Sequence, residues 1–162
     1  MSRNDENRDH RTFTGTAMAA AVEDAVRQVL RPYVESGLIG IACLARGADQ
    51  IFAEVVLDLG GVIEFVISAA DYVSAIPAAS RARFDRLADA AQARYELPFA
   101  VSGPDAYFSA SGVVVDRSEL MLAVWDGSPA DGRGGTADAV RYARKQGREL
   151  IVVWPLDGER VG

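Results

Sequence analysis

Short apolar runs alternate with amphipathic stretches along this chain, and that alternation limits the fold more than any other feature of the sequence. A continuous apolar run is typical of a strand buried on both faces, and an apolar stripe with a period of about 3.6 residues is typical of a helix. The predicted strands cover residues 38–45, 62–67, 119–127 and 149–155, with a weaker, β-branched candidate at 11–15. The predicted helices cover residues 16–37, 47–61, 77–95, 103–118 and 136–146.

Strands that alternate with helices favour right-handed crossover connections and a mostly parallel sheet. We therefore predict an α/β fold, in which residues 12–162 form a single Rossmann-like three-layer domain with a mostly parallel sheet of about five strands. A polar, disordered tail is predicted for residues 1–11. In such a fold a ligand binds in a crevice beyond the carboxyl ends of the strands, where the strand order reverses.

The net charge and the scarcity of cysteine and histidine argue against several classes of function. A net charge of −6 opposes non-specific binding to nucleic acid, which requires a basic surface. Cys43 and His10 are the single cysteine and the single histidine, so we expect no internal disulfide, no Cys–His nucleophile, no metal site and no cofactor. No apolar run approaches the roughly 20 residues that span a bilayer, and no signal-peptide pattern is present. The expectation is a cytoplasmic protein without a membrane partner.

A glycine-rich loop, "GSPADGRGGTADAV" at residues 127–140, joins a predicted strand to a predicted helix. It is not a P-loop, because Arg133 stands at the lysine position and Gly134 at the hydroxyl position of that motif. It is not a dinucleotide fingerprint, because Ala137 replaces the third glycine. Gly134, Gly135 and Thr136 can hold a phosphate at the start of the helix. The alternative, about equally supported by the loop alone, is a flexible connection with Thr136 as the helix cap.

A second strand–turn–helix junction, "ARGADQ" at residues 45–50, favours the phosphate-binding interpretation. Gly47 lies at the turn and Asp49 in the first turn of the helix, and Arg46 can bind a phosphate or carboxylate in the same crevice. The alternatives are helix capping for Asp49 and a surface charge for Arg46. The carboxyl ends of other strands add Thr14, Gly15, Asp126 and Gly127 to the predicted ligand-binding residues.

Most of the chain, from about residue 12 to residue 155, resembles the SLOG superfamily. The resemblance is carried by "CLARGADQIFAEVVLDLGG", by "VIEFVISAADY" and by "LMLAVWDGSPADGRGGTADAVRYARKQGRELIVVWP". It implies a bacterial Rossmann-like domain that binds a nucleotide or a nucleotide-derived small molecule and is often a homodimer. Related LOG phosphoribohydrolases, long mislabelled lysine decarboxylases, cleave the N-glycosidic bond of nucleoside monophosphates, whereas other relatives are ligand sensors.

Two departures from the LOG pattern favour binding over catalysis. The enzymes carry P-G-G-x-G-T-x-x-E, and here Asp131 replaces the proline, Arg133 the second glycine and Ala139 the catalytic glutamate. The first strand candidate ends in Gly15-Thr16 where similar sequences have Gly-His. We therefore expect a non-catalytic sensor or binding domain. A LOG-like hydrolase that uses Asp126 and an interaction subunit with a vestigial crevice remain the alternatives.

Overall fold

The computed structural model describes residues 16–45, 47–127 and 135–154. Helices and strands alternate along these residues. The helices are α1 (Thr16–Leu30), α2 (Ala48–Asp58), α3 (Ala78–Ala90), α4 (Pro104–Asp116) and α5 (Thr136–Lys145). The strands are β1 (Ile39–Ala42), β2 (Val62–Ala69), β3 (Ala93–Phe99), β4 (Leu120–Val124) and β5 (Glu149–Val153), and a 3-10 helix (Arg31–Ser36) follows α1.

Every pair of neighbouring strands in the described residues is parallel. β2 lies between β1 and β3, with Ile39 opposite Val62 and Val66 opposite Tyr95. β4 pairs with β5, with Leu120 opposite Glu149. The predicted α/β architecture with parallel strands is confirmed, but the predicted single sheet of about five strands is wrong for the described strands. They form one sheet of three strands and one of two, because β1 and β4 are not hydrogen-bonded to each other.

Helices cover both faces of the three-stranded sheet. On one face, Ile63, Phe65 and Ile67 of β2 belong to the main hydrophobic core. That core also takes in buried side chains of α1, α2 and α3: Val22, Val26, Leu30, Ile51, Ala53, Val55, Val56, Phe84 and Leu87. On the other face, α4 packs against β2 and β3, and α5 packs against α4, β4 and β5. The structure therefore has the three layers predicted for a Rossmann-like chain.

Gly40 lets α2 approach β1 closely. A Cβ atom at this position would lie 2.8 Å from Val56 Cγ2 and 3.0 Å from the Phe52 ring, closer than side chains pack. The helix therefore lies directly on the backbone of β1. This contact places the start of α2, with the predicted ligand-binding residues Gly47 and Asp49, close to the end of β1.

The third strand was missed by the sequence analysis, which extended a helix over residues 77–95. α3 ends at Ala90, because Ala91 adopts an extended conformation, and β3 follows. The segment "ADAAQARY" is rich in good helix formers, and this local propensity concealed the strand. β3 contains Pro98 and alternates between partly buried and exposed residues, as expected for a strand that pairs on one side only.

The other predicted helices are confirmed with shifted ends. α1 stops at Leu30 because Pro32 converts the next turn to a 3-10 helix, and Gly37 ends it with a φ of 86°. The candidate strand at residues 11–15 and the polar tail predicted for residues 1–11 lie, like the glycine loop at 128–134, outside the described residues. None of the described helices combines the length and the apolar character that a membrane-crossing helix requires.

An ion pair joins α2 to α3. Arg83 donates from Nε and Nη2 to the two carboxylate oxygens of Glu54 at 2.7 and 2.8 Å, and Arg86 reaches the same carboxylate at 3.4 Å. The Arg83 guanidinium holds the pKa of Glu54 below its usual range. Both side chains remain more than one-third exposed, so solvent screens the pair and limits its stabilisation to about 1 kcal/mol.

We predict that Glu54→Gln lowers the free energy of unfolding by about 1 kcal/mol at pH 7. The pKa of Glu54 is depressed in the folded state, so this stabilisation is present above the unfolded-state pKa of about 4.3 and is lost as the pH falls through the folded-state pKa. Urea unfolding of both proteins between pH 2 and 8 measures the difference.

The matched control is Asp85→Asn, which removes the more exposed pair with Arg81 within α3. It should cost only about 0.3 kcal/mol. An equal loss in the two variants, or a loss at Glu54 that does not depend on pH, would contradict the assignment.

Candidate functional site

The turn between β1 and α2 is held in an unusual backbone conformation. Leu44 has a φ of 58°, which is rare for a residue with a side chain, and Gly47 has a φ of 91°. Leu44 is fully buried, and its carbonyl oxygen accepts a hydrogen bond from Nε2 of buried Gln50 at 3.2 Å. The surrounding contacts thus maintain a strained backbone, as is common beside ligand sites.

Asp49, in the first helical turn of α2, is hydrogen-bonded to the β1–α2 turn. Its Oδ2 accepts a hydrogen bond from the Ala45 N–H at 3.3 Å. Burial raises the pKa of Asp49, and the backbone hydrogen bonds from Ala45 and Cys43 offset part of that rise. The carboxylate therefore bonds to the turn that precedes α2 and does not cap the helix, and its predicted contact with a ligand stays a prediction. Burial, with a smaller effect of Asp49, also raises the pKa of the Cys43 thiol, which is consistent with a structural cysteine.

The turns that follow β2 and β3 are bonded to each other. Asp71, after β2, accepts hydrogen bonds from the backbone N–H and the hydroxyl of Ser102, after β3, at 2.8 and 2.6 Å. The next residue, Tyr72, packs edge-on against Phe84 with ring centroids 6.4 Å apart. Burial, together with the nearby charge of Asp49, raises the pKa of Tyr72 to about 12. The ends of β1, β2 and β3 therefore converge at one edge of the sheet.

We use the name carboxyl-edge crevice for the segments that follow the described strands, at residues 43–45, 47, 70–72, 100–103 and 125–127, together with the start of α5 at Gly135. Three helices begin there with a glycine cap and without a side-chain cap: α2 at Gly47, α4 at Gly103 and α5 at Gly135. Uncapped first-turn N–H groups and the helix dipole favour an anion. The start of α4 was missed as part of the crevice because its preceding strand, β3, was missed. Val101 and Tyr107 beside it are exposed.

Asp126 and Gly127 follow the carboxyl end of the fourth strand, β4. Trp125 donates its backbone N–H to the Val153 carbonyl at 3.0 Å, which extends the β4–β5 pairing to the point where the chain leaves the sheet. Asp126 and Gly127 are exposed immediately beyond it, and Gly127 has a φ of 86°. An exposed carboxylate at a strand end can face a bound molecule.

The first turn of α5 separates exposed from buried positions. Gly135 and Thr136 are exposed at the helix start. Asp138, whose side chain is only 11 % exposed, pairs with Arg141 at 3.5 Å. Ala139, at the position of the catalytic glutamate in LOG enzymes, is buried, as are Val140 and Ala143 on the same face of the helix. The residue at this position therefore packs in the protein interior.

The structure describes six of the ten predicted ligand-binding residues, and all six lie at the carboxyl edges of the strands. They are Gly47, Asp49, Asp126, Gly127, Gly135 and Thr136. Thr14, Gly15, Arg46 and Gly134 lie outside the described residues.

Comparison with known proteins supports the fold. A scan against protein-family models finds no match, and a search of the curated proteins finds none either. Among solved structures, the chain is similar to DNA processing protein A from Streptococcus pneumoniae, with a TM-score of 0.60 and 18 % identity. The match covers 89 % of this chain and 48 % of that protein, so the chain corresponds to about half of the neighbour's length. This likeness shows a Rossmann-like α/β fold.

We predict that Asp49→Asn changes stability with a pH dependence opposite to that of Glu54→Gln. Asparagine can still accept the Ala45 N–H but carries no buried charge. The pKa of Asp49 is raised in the folded state, so the wild-type protein loses stability relative to Asp49→Asn as the pH rises from the unfolded-state pKa of about 3.9 to the folded-state pKa. Thermal unfolding of both proteins from pH 3 to 8 measures the difference.

Asp105→Asn is the control, because Asp105 also lies in a first helical turn, that of α4, but is exposed. A difference between wild type and Asp49→Asn that is constant with pH would contradict a carboxylate whose pKa is raised in the folded protein.

Proposed function

We propose that this protein binds a nucleotide or a nucleotide-derived small molecule in the carboxyl-edge crevice, as a non-catalytic sensor or binding domain of the SLOG type. The observation that carries the proposal is the pair of glycine-capped helix starts, at Gly47 and Gly135, that follow β1 and β4. Both offer backbone N–H groups without a side-chain cap to an anion such as phosphate. The strained turn at Leu44 adds support, because such strain is common at ligand sites.

The local charge is compatible with a small anion although the chain is acidic. The first turns of α2 and α5 each contain an aspartate, which offsets part of the helix dipole. Asp49 is bonded to the turn and Asp138 is paired with Arg141, so both carboxylates already have positively polarised partners. Arg46, predicted to bind phosphate, would add a guanidinium.

The buried position of Ala139 favours binding over bond cleavage. A glycosidic hydrolase needs a carboxylate at the scissile bond, and the LOG pattern places it where this chain has a buried methyl group. The name of the structural neighbour concerns DNA, but only half of that protein is matched, and a net charge of −6 opposes a duplex-binding surface. We therefore propose a small-molecule ligand. The homodimer implied by the SLOG resemblance remains a prediction.

Thermal unfolding with a panel of nucleoside mono-, di- and triphosphates and cyclic nucleotides tests the proposal. A ligand at 100 times its Kd should stabilise the fold by about 2.7 kcal/mol. Thr136→Ala and Arg46→Ala should weaken binding of the same ligand. Arg144→Ala, which removes an exposed arginine from the opposite end of α5, should leave it unchanged. The proposal fails if no member of the panel stabilises the protein, or if Arg144→Ala weakens binding as much as Arg46→Ala.

The exposed carboxylate of Asp126 favours one alternative, a LOG-like phosphoribohydrolase. It lies at the carboxyl end of β4, where it could stabilise an oxocarbenium ion. Chromatography of nucleoside monophosphates incubated with the protein would detect the released base. The non-catalytic proposal predicts equal background release from wild type and Asp126→Ala. Release by the wild type that is lost in Asp126→Ala would establish the hydrolase instead.

A further inference from the structure

Strand β3 forms one edge of the three-stranded sheet, because among the described residues it is hydrogen-bonded only to β2. Gln92, immediately before β3, donates its backbone N–H to the Ile63 carbonyl of β2 at 2.8 Å. Backbone groups of successive strand residues point to alternate sides, so the N–H and C=O groups of Ala93, Tyr95 and Leu97 point away from β2. An edge of this kind is a template for a further strand.

The exposed side chains of this edge strand carry opposite charges two residues apart. In the strand register Arg94 lies opposite Phe65 of β2. Glu96 lies opposite Ile67. Both charged side chains therefore project from the face of the sheet that carries the main core, but they remain 58 and 62 % exposed. The edge strand thus presents one positive and one negative group on the same exposed face.

These two charges are placed symmetrically about Tyr95. Charged residues on an edge strand commonly discourage pairing with another chain. Here, however, a two-fold axis through Tyr95 and perpendicular to the sheet sets β3 antiparallel to β3 of a second copy. It places Arg94 of each copy directly opposite Glu96 of the other, where cross-strand side chains are close enough to pair. In this register the edge is self-complementary in charge.

The backbone groups match in the same register. Tyr95 faces Tyr95 of the second copy, and Ala93 faces its Leu97, as hydrogen-bonded pairs of an antiparallel ladder. These are the residues whose N–H and C=O groups point away from β2. An axis through Arg94 or through Glu96 would instead set like charges opposite each other. Charge and hydrogen bonding therefore select one register.

The ring of Tyr95 leaves this axis accessible. Its hydroxyl donates a hydrogen bond to Oε1 of Glu64 on β2 at 2.9 Å, and the Arg117 guanidinium lies 4.1 Å from the ring centroid. Because Glu64 belongs to the neighbouring strand, the ring leans over the sheet of its own subunit and away from the open edge. A second copy can therefore reach the backbone of β3.

The two charges cost little to share with a second copy. Within one chain, Arg94 Nη2 lies 3.4 Å from Glu96 Oε1. Such an exposed pair contributes little to stability, because solvent screens it. In a dimer the two pairs form a cluster of four alternating charges, so each group keeps its own partner and gains a second one.

We propose that β3 pairs antiparallel with β3 of a second copy, centred on Tyr95, to give a dimer in which one sheet runs through both subunits. The SLOG resemblance implies a homodimer without a surface, and the β3 edge supplies that surface. The inference does not rest on the proposed ligand site. It depends on the edge strand alone, and the antiparallel arrangement directs the two carboxyl-edge crevices in opposite directions.

Charge reversal tests the register by sedimentation equilibrium. Arg94→Glu and Glu96→Arg, each alone, set like charges opposite each other and should raise the Kd of the dimer about 10-fold or more. An equal mixture of the two single variants should associate like the wild type, because two carboxylates of one chain then face two guanidinium groups of the other. Arg144→Glu, at an exposed position of α5, is the control and should leave the Kd unchanged.

Hydrogen exchange on the wild-type protein gives a second measurement that needs no variant. The amides of Ala93, Tyr95 and Leu97 should gain protection from dilute to concentrated protein. Those of Arg94 and Glu96, which by the same alternation point to β2, should be protected in both samples. A wild type that stays monomeric at millimolar concentration would overturn the proposal. A dimer that neither charge reversal weakens, or that mixing does not restore, would also overturn it, because association would then use another surface.

Discussion

Parallel pairing of the strands is the constraint on which the rest of this structure depends. Two parallel neighbours cannot be joined by a tight turn, so each connection must return across a face of the sheet, and here each is a helix. The carboxyl end of each described strand except β5 is therefore followed by the start of a helix at the same edge. The positively polarised starts of α2, α4 and α5 follow β1, β3 and β4, and they provide partial positive charge without basic side chains. An acidic chain can in this way offer a local site to an anion.

The elements that could be predicted from the sequence are those in which local propensity and burial in the folded protein favour the same secondary structure. α1, α2 and α5 have a stripe of buried apolar residues, and β1, β2, β4 and β5 are predominantly apolar. The third strand was missed because the alanine-rich segment before it favours a helix. The strand itself alternates between partly buried and exposed residues and contains a proline, a pattern that suits an edge strand. The number of sheets also could not be predicted, because pairing depends on which strands lie next to each other and not on the pattern of any one strand.

The candidate site was predictable at its glycines and not at its tertiary contacts. Gly47 and Gly135 lie at strand–helix junctions, and the order of apolar runs and amphipathic stretches in the sequence predicts where such junctions occur. The positive φ of Leu44 gives no signal in the sequence, because a leucine is not expected in that conformation. The bond between Asp71 and Ser102 joins residues 31 positions apart, and only the folded backbone brings them together. The sequence pattern places Ala139 at the position of the catalytic glutamate, but its burial could be known only from the packing of α5.

The Asp71–Ser102 bonds have a consequence for how this crevice can change in evolution. They link two turns at fixed distances from their strands, so an insertion in either turn would break both hydrogen bonds at once. Loop length, the usual source of variety in proteins of this architecture, is therefore restricted on that side. Under the proposed function, new ligand preferences are more easily reached by exchanging exposed side chains such as Val101 and Tyr107 on an unchanged backbone.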